Sequence, residues 1–388
     1  MPEPTKTFPI VYLLDRLAPS ETFIRREIDQ LRDRGWPLDL RLVSGGDGRL
    51  RFACAACPPG YRVPFLRAAF RRFTALFRRS PLAAVRLARR LPQVADLVGV
   101  MVEREARLLH AHFAGITADM AAVAAAATGI PWSCSVHARD VFTVSPKLTA
   151  CRLEPAAGVS ACSRLAAEAV VAAGIPAGRI AVIHHGLRLN DFPYDTVFPE
   201  GVFFTACRLE AKKGLDTLLQ ACAILKRRGK TFSCVIVGEG PLRAQLEALT
   251  ERLNLRDRVD WIGWQSQEET RSLLMDAMLL VLPSRVMPDG DRDGIANIIL
   301  EAMAIGTPVL TTTAGAAAEI ITDGANGRLV PSDDADALAG ALDEALSSKK
   351  RLMAMAQEAR RTIEAQFDAS RTTPQLEGFL HRMAGEVR

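Results

Sequence analysis

Short apolar runs alternate with longer amphipathic stretches along most of this chain, in two series separated by a turn-rich passage. Strands that must pair in parallel need a crossover between them, usually a helix, so this alternation predicts an α/β fold whose sheets are covered by helices on both faces. In the first series the strand candidates are 8–14, 38–43, 107–113, 132–136, 157–161 and 180–183, with helix candidates at 21–34 and 116–128 between them. The passage 186–201 carries Asn190-Asp191, Pro193 and Pro199-Glu200-Gly201 and reads as a domain boundary. The second series comes at 202–207, 232–237, 259–262, 279–282 and 309–312. A last helix is expected near 335–367, then a tail that Pro374 interrupts before a helical stretch at 376–383. A chain of 388 residues has room for two such domains, each burying its own core. The expected division is 1–190, a linker 191–201, 202–367, and a tail 368–388.

The apolar content of 49% and charged content of 24% are those of a soluble globular protein. No basic-then-apolar signal precedes the first strand candidate, and the longest apolar stretch, near 120–127, is far below the ~20 residues that span a bilayer. A cytoplasmic protein is expected. The eight cysteines are scattered and mostly in apolar contexts, as small core residues in a reducing compartment would be. Cys54-x-x-Cys57 could form half of a zinc site, but no second Cys or His pair completes it at the usual spacing, so no metal is expected.

The net charge of +5 is unevenly spread. Eleven arginines, no lysine and no acid lie between Arg49 and Arg90, so the rest of the chain carries 5 minus 11, or −6. Within that segment Leu66, Phe70, Phe73 and Phe77 recur at helical spacing, and Arg67, Arg71, Arg72, Arg78 and Arg79 are placed on the other side. The basic amphipathic segment 62–90 therefore reads as an interfacial helix for an anionic membrane surface. The plainer alternative is a domain helix whose aromatic stripe packs on the core. No nucleic-acid module accompanies the charge, and no nucleic-acid partner is expected.

The residues with the clearest chemistry lie in the second half. Asp293 and Glu301 stand eight apart across a loop-to-helix junction, a spacing that suits a sugar nucleotide, and Gly294 precedes a helix-like run from Ile295, so the amides of Gly294, Ile295 and Ala296 are expected to lack intrahelical partners. Cys207-Arg208-Leu209-Glu210-Ala211-Lys212-Lys213-Gly214 comes after the first strand of the second half, so Arg208 and Lys213 emerge at a strand's carboxyl end, where a diphosphate would meet them. Val237-Gly238-Glu239-Gly240 comes after another strand, and its glycines would let a ligand approach the backbone. In the first half, His137 succeeds a strand within Ser135-Val136-His137-Ala138-Arg139-Asp140, and His110-Ala111-His112 ends another. His184-His185-Gly186 is given no chemistry, and Ser20 is a candidate helix N-cap.

The 293–301 run resembles the E-x7-E signature of the retaining, nucleotide-sugar-dependent glycosyltransferases of family four, with Asp293 where the first Glu usually stands. The 207–214 run resembles the family's G-R-L-x-x-x-K-G motif with Cys207 for the first Gly, and 135–142 resembles its S-x-H-x-x-D-x-F segment. Ser20-Glu21-Thr22-Phe23-Ile24 and Asp289-Gly290-Asp291 resemble segments of the members that build bacterial exopolysaccharides such as colanic acid. The resemblance implies a GT-B fold, with two Rossmann-like doubly wound domains facing across a cleft and the tail crossing back onto the first. It assigns Asp293 to the transferred sugar, Glu301 to the ribose, Arg208 and Lys213 to the donor pyrophosphate, His137 to the donor's sugar or phosphate, and Gly238, Gly240, Gly294, Ile295 and Ala296 to the walls of the donor site. It implies a metal-independent retaining glycosyltransferase that needs no cofactor and moves a sugar from a nucleotide-diphosphate donor to a hydroxyl of a surface glycan. The acceptor is expected to be lipid-linked, with the enzyme peripheral at the inner face of the cytoplasmic membrane. The alternatives are a transferase with a soluble acceptor, such as a disaccharide-forming synthase, and a catalytically silent GT-B scaffold.

Overall fold

The computed structural model describes residues 7–18, 21–44, 57–195 and 199–385. Ser20, Cys54, Arg49, Arg51 and the linker residues 196–198 lie outside the described residues. The chain forms two compact units, Met1–Gly186 together with Ala369–Arg388, and Leu187–Asp368.

The first unit is built on six parallel strands, β1 (Ile10–Leu14), β2 (Leu38–Leu42), β3 (Leu108–His112), β4 (Trp132–Val136), β5 (Gly158–Ala161) and β6 (Ile180–Val182), in the order β2-β1-β3-β4-β5-β6. Every residue of β1, β3, β4 and β5 is buried, because helices cover both faces of the sheet. Those helices are α1 (Thr22–Asp33), α2 (Arg62–Phe77), α3 (Pro81–Glu103), α4 (Ile116–Thr128), α5 (Ala138–Phe142), α6 (Pro146–Leu153) and α7 (Arg164–Ala172). Alanine-rich α4 is buried nearly all round, and Gly129 ends it in the left-handed conformation at φ 77°.

The tail forms a single helix, Ala369–Met383, which runs through Pro374 where the sequence predicts an interruption. Proline costs one i→i−4 hydrogen bond, and side-chain anchors to the unit offset that loss. Glu377 accepts from Arg34 Nε at 2.6 Å and from Trp36 Nε1 at 2.9 Å, and Thr373 Oγ1 donates to Gln30 Oε1 at 3.1 Å. Gly186 is needed here for space: a Cβ would lie 2.1 Å from Thr372 Oγ1.

Helix α2 departs from the reading that packs its aromatic stripe on the core, and from the placing of all its arginines on the opposite side. Phe65, Ala68, Ala69 and Leu76 face the core, while Val63, Leu66, Phe70 and Phe77 face outward, Phe70 being 70% exposed. Phe73 is half buried and stacks on Phe77 at 5.8 Å. The aromatic stripe therefore does not pack as a core stripe. The arginines also divide. Arg67, Arg71, Arg78 and Arg79 are exposed beside the apolar stripe, whereas Arg72 is buried, pairing with Asp119 at 2.6 Å and donating to the Cys151 carbonyl at 2.6 Å. On α3 the exposed Leu82, Val85, Arg86 and Arg89 add to the same mixture of apolar and basic side chains. Among the described residues no helix is long and apolar enough to cross a membrane.

The second unit has strands β7 (Val202–Ala206), β8 (Ser233–Val237), β9 (Val259–Gly263), β10 (Leu279–Leu282), β11 (Val309–Thr312) and β12 (Arg328–Val330), all parallel, in the order β12-β11-β10-β7-β8-β9. The chain thus begins at the middle of the sheet, winds outward one way to β9, returns beside β7 at β10 and winds outward the other way. The helices are α8 (Leu215–Arg227), α9 (Arg243–Arg252), α10 (Gln267–Met275), α11 (Asn297–Ile305), α12 (Ala335–Ser347) and α13 (Lys349–Gln366). The stretch expected as one helix is two, α12 and α13, divided at Ser348, whose φ of −140° is not helical. The three-residue edge strand β12 carries no apolar run long enough to be read from sequence.

Candidate functional site

In a doubly wound sheet, ligands bind outside the carboxyl ends of the strands at the point where the winding reverses. In the second unit that point lies between β7 and β10, and the loops after these two strands carry Arg208 to Lys213 and Ser284 to Asp293. Gly214 brings the loops together. It has φ 63°, and a Cβ there would lie 2.0 Å from the Pro283 carbonyl oxygen. Arg285 N donates to the Lys212 carbonyl at 2.8 Å, which ties the two backbones side by side.

This approach joins residues eighty positions apart. Lys213 Nζ donates to Asp293 Oδ2 at 2.7 Å, and Ser284 Oγ donates to the same oxygen at 2.7 Å. Lys212 Nζ lies 3.1 Å from Asp291 Oδ1 and 3.9 Å from Asp293 Oδ1. The Lys213 and Asp293 side chains are only 11% and 12% exposed. Burial alone would depress the Lys213 pKa, but the Asp293 carboxylate outweighs it and holds the ammonium above its ordinary value. Burial likewise pushes Asp293 up, and the charge and hydrogen bond of Lys213, with the Ser284 hydroxyl, bring it below the ordinary carboxylate range. Both groups are therefore charged, a strong local field in a partly dry site.

Arg208 does not join this pair. Its side chain is 52% exposed and meets Glu210 Oε1 at 2.9 Å. Gly294, Ile295 and Ala296 lie in the loop just before α11, which begins at Asn297, two residues later than the sequence suggests. Ala296 at the cap position offers no side-chain hydrogen bond, so the positive end of α11 carries no side-chain cap. Glu301 lies in the middle of α11 and is buried. The backbone at Asp293 is clamped by the loop after β11: Ala316 N donates to the Asp293 carbonyl at 3.3 Å, and a Cβ on Gly315 would lie 2.3 Å from that oxygen.

Gly238 and Gly240 have a packing role besides the ligand approach read in the sequence. A Cβ on Gly238 would lie 1.9 Å from the Cys207 carbonyl oxygen, and one on Gly240 would lie 2.7 Å from Leu209 N and O. The close approach they permit is to the β7 loop, sealed by Leu209 N donating to the Glu239 carbonyl at 3.0 Å. They set the position of the loop that carries Arg208 and Lys213.

In the first unit, His137 comes directly after β4 and its backbone N donates to Asp140 Oδ2 at 3.0 Å. Its ring is buried among Phe113 at 4.6 Å, Phe23 at 5.0 Å, His185 at 5.4 Å and His112 at 5.9 Å. Burial, reinforced by the neighbouring histidines, lowers its pKa well below the ordinary imidazole value. Burial also lowers His185, to about 4, and raises Asp140 to about 7. His110 is fully satisfied internally, with Nδ1 at 2.7 Å from Ser133 Oγ and Nε2 at 2.9 Å from Ser135 Oγ. His112 Nε2 lies 3.0 Å from Glu27 Oε1, which also accepts from Tyr12 at 3.3 Å. Sequence reasoning misses Ser284, Lys212, Glu27 and His185. A Ser or His just past a strand end is the available signal for Ser284 and His185, and nothing local marks Glu27 as the partner of His112.

Residues 20–191 match Glycosyltransferase Family 4, and residues 196–362 match Glycosyl transferases group 1. The amylovoran biosynthesis glycosyltransferase AmsK of Erwinia amylovora is 34% identical over 225 residues, 57% of this chain and 55% of that protein. The putative colanic acid biosynthesis glycosyltransferase WcaL of Salmonella typhimurium is 37% identical over 174 residues, 44% of this chain and 43% of that protein. The chain thus spans about half the length of the curated relatives it matches. Among solved structures, Anabaena HepE in complex with UDP-glucose aligns with a TM-score of 0.73 and 20% identity, over 97% of this chain and all of that one, a likeness of fold.

Proposed function

We propose that this chain, which belongs to the family 4 and group 1 glycosyltransferases through its two domains and has the GT-B fold, is a retaining, metal-independent transferase. It would move a sugar from a nucleotide-diphosphate donor to a hydroxyl of a lipid-linked glycan in exopolysaccharide assembly. The observation that carries the reading is the buried Lys213–Asp293 pair at the winding reversal of the second unit, beside the uncapped start of α11. Lys213, with Lys212 and Arg208 near it in the loop, supplies cationic charge where the leaving diphosphate gains negative charge. In this reading Asp293 and the amides of Gly294 to Ala296 meet sugar hydroxyls, and Glu301 meets the ribose. As the anomeric C–O bond to the diphosphate breaks and the bond to the acceptor oxygen forms on the same face, the acceptor's proton passes to a phosphate oxygen. That route needs no separate protein base.

A screen of nucleotide sugars for donor hydrolysis, then product analysis with lipid-linked and soluble acceptors, tests the reading. Turnover unchanged in excess chelator is the expected result, and loss of turnover restored by a divalent ion would overturn the metal-free route. Failure to hydrolyse any donor would favour a silent scaffold. Glu301→Ala is expected to weaken nucleotide-diphosphate binding about ten- to a hundredfold, since charge-assisted hydrogen bonds to a ribose contribute ~1.5–3 kcal/mol. Titration calorimetry with the nucleotide alone reads this directly, and wild-type affinity in a folded variant would remove Glu301 from the site.

A further inference from the structure

We propose that the carboxyl ends of β4, β5 and β6 form a binding site for a thiophilic divalent cation such as Zn2+, with His137, Cys162 and His185 as its protein ligands. The three strands are neighbours in the sheet. His137 comes directly after β4, Cys162 directly after β5, and His185 three residues after β6, so one rim of the sheet receives all three side chains. Their ligand atoms, one ring nitrogen from each histidine and the Cys162 sulfur, lie within 4.8 Å of one another. Together with Glu27, Ser135 and Ser160 they line a cavity of ≈ 10 Å³, about the room that one small ion or one water needs.

The second observation is the state of His137. Its Nε2 is buried without a hydrogen-bond partner, a condition that costs free energy unless something in the cavity meets it. A second cluster, Glu27, His110 and His112, also has its ligand atoms within 4.8 Å of one another, and there His110 is held by two serine hydroxyls and Glu27 lies against His112 and Tyr12, while His112 Nδ1 is likewise without a hydrogen-bond partner. Of these two clusters, only the first holds a sulfur and has all three of its ligand residues on the cavity wall. Sulfur with two imidazoles suits Zn2+ or Co2+ over Mg2+, and three protein ligands leave a fourth tetrahedral position open. Bond lengths of about 2.0–2.3 Å place tetrahedral ligands roughly 3.5 Å apart, so closure takes side-chain rotation of about 1 Å. Burial keeps both imidazoles neutral, and on binding the Cys162 thiol releases its proton to solvent as its electron pair forms the S–metal bond. Occupancy would take up the ring nitrogen through which His137 could meet any other ligand. Resting here on the transferase reading, the site is inhibitory.

The test uses the full chain, reduced and stripped with chelator, titrated with Co2+ alone and then with Zn2+. One equivalent of Co2+ should give a sulfur-to-metal charge-transfer band that Zn2+ displaces. The band should be lost in Cys162→Ser and kept in Cys57→Ser, which removes a thiol of the Cys54-x-x-Cys57 pair. His185→Gln should weaken Zn2+ binding by more than the roughly 10–100-fold that loss of an outer partner costs. Zn2+ should also raise the melting temperature of the wild type and leave that of Cys162→Ser unmoved. A band that persists in Cys162→Ser, or the absence of stoichiometric binding, overturns the site, and neither result depends on glycosyl transfer. Where turnover is measurable, chelator-reversible inhibition by Zn2+ in the wild type, absent in Cys162→Ser, is the expected consequence.

Discussion

Lys213→Ala is expected to lower turnover about 10²- to 10³-fold while changing the donor KM much less. That range is the cost of removing one preorganised group facing a developing negative charge, and the charge on the diphosphate is greatest in the transition state. The same change leaves Asp293 buried with Ser284 and the more distant Lys212, so stability should fall too, by about 3–5 kcal/mol. The two effects are separable. Replacing both partners, Lys213→Met with Asp293→Leu, removes the uncompensated charge and should recover most of the stability, because a buried ion pair and an apolar pair of similar volume are often equivalent for folding. Turnover should not recover. Denaturant unfolding of the two single variants and the double variant, alongside steady-state kinetics, checks this. A double variant that regains turnover would make the pair a folding device and take the leaving-group role from Lys213.

The prominence of that pair explains why some features are legible in the sequence and others are not. Strands such as β4 and β10 are buried at every position, and the alternation of serines with Trp132, Cys134 and Val136 in β4 and the apolar run of β10 can be read without any tertiary knowledge. The motifs at their carboxyl ends can be read for the same reason, since a strand end fixes the position of the residues just beyond it. Contacts between loops are different. That Lys213 reaches Asp293 depends on Gly214 lying against Pro283, a relation between two segments far apart in the chain. Gly238 and Gly240 show the same limit: their spacing says that something comes close, and only the fold shows that the Cys207–Leu209 backbone does so. His185 reads as turn-side decoration because nothing local places it against His137. Pro374 misleads because a local rule for ending helices is outweighed by anchors from Gln30, Arg34 and Trp36.

The stripe on α2 is the instructive intermediate case, and it carries the remaining prediction. Helical spacing finds Leu66, Phe70 and Phe77 on one side, but periodicity cannot say which side faces water. Here a second set, Phe65, Ala68, Ala69 and Leu76, fills the core and leaves the first exposed beside Arg67, Arg71, Arg78 and Arg79. An exposed apolar row bordered by arginines, with Leu82, Val85, Arg86 and Arg89 continuing it on α3 and no acid in the segment, has the make-up of a face that lies on an anionic bilayer. Changing Arg67, Arg71, Arg78 and Arg79 to Gln should then cost about 4 kcal/mol of membrane affinity, at roughly 1 kcal/mol per basic residue, or about a thousandfold in partition. Sedimentation with anionic and neutral vesicles measures it. The wild type should prefer anionic vesicles, and high salt should release it only in part, because the apolar term is not screened. The variant should bind anionic vesicles much more weakly than the wild type, with a smaller preference over neutral ones set by the remaining Arg86 and Arg89. All four arginines are exposed and none joins the Arg72–Asp119 pair, so the fold should be unaffected, which a circular dichroism melt checks. Equal binding of the wild type to both vesicle types, or no loss in the variant, would make this an ordinary surface helix and would remove the main physical support for a lipid-linked acceptor.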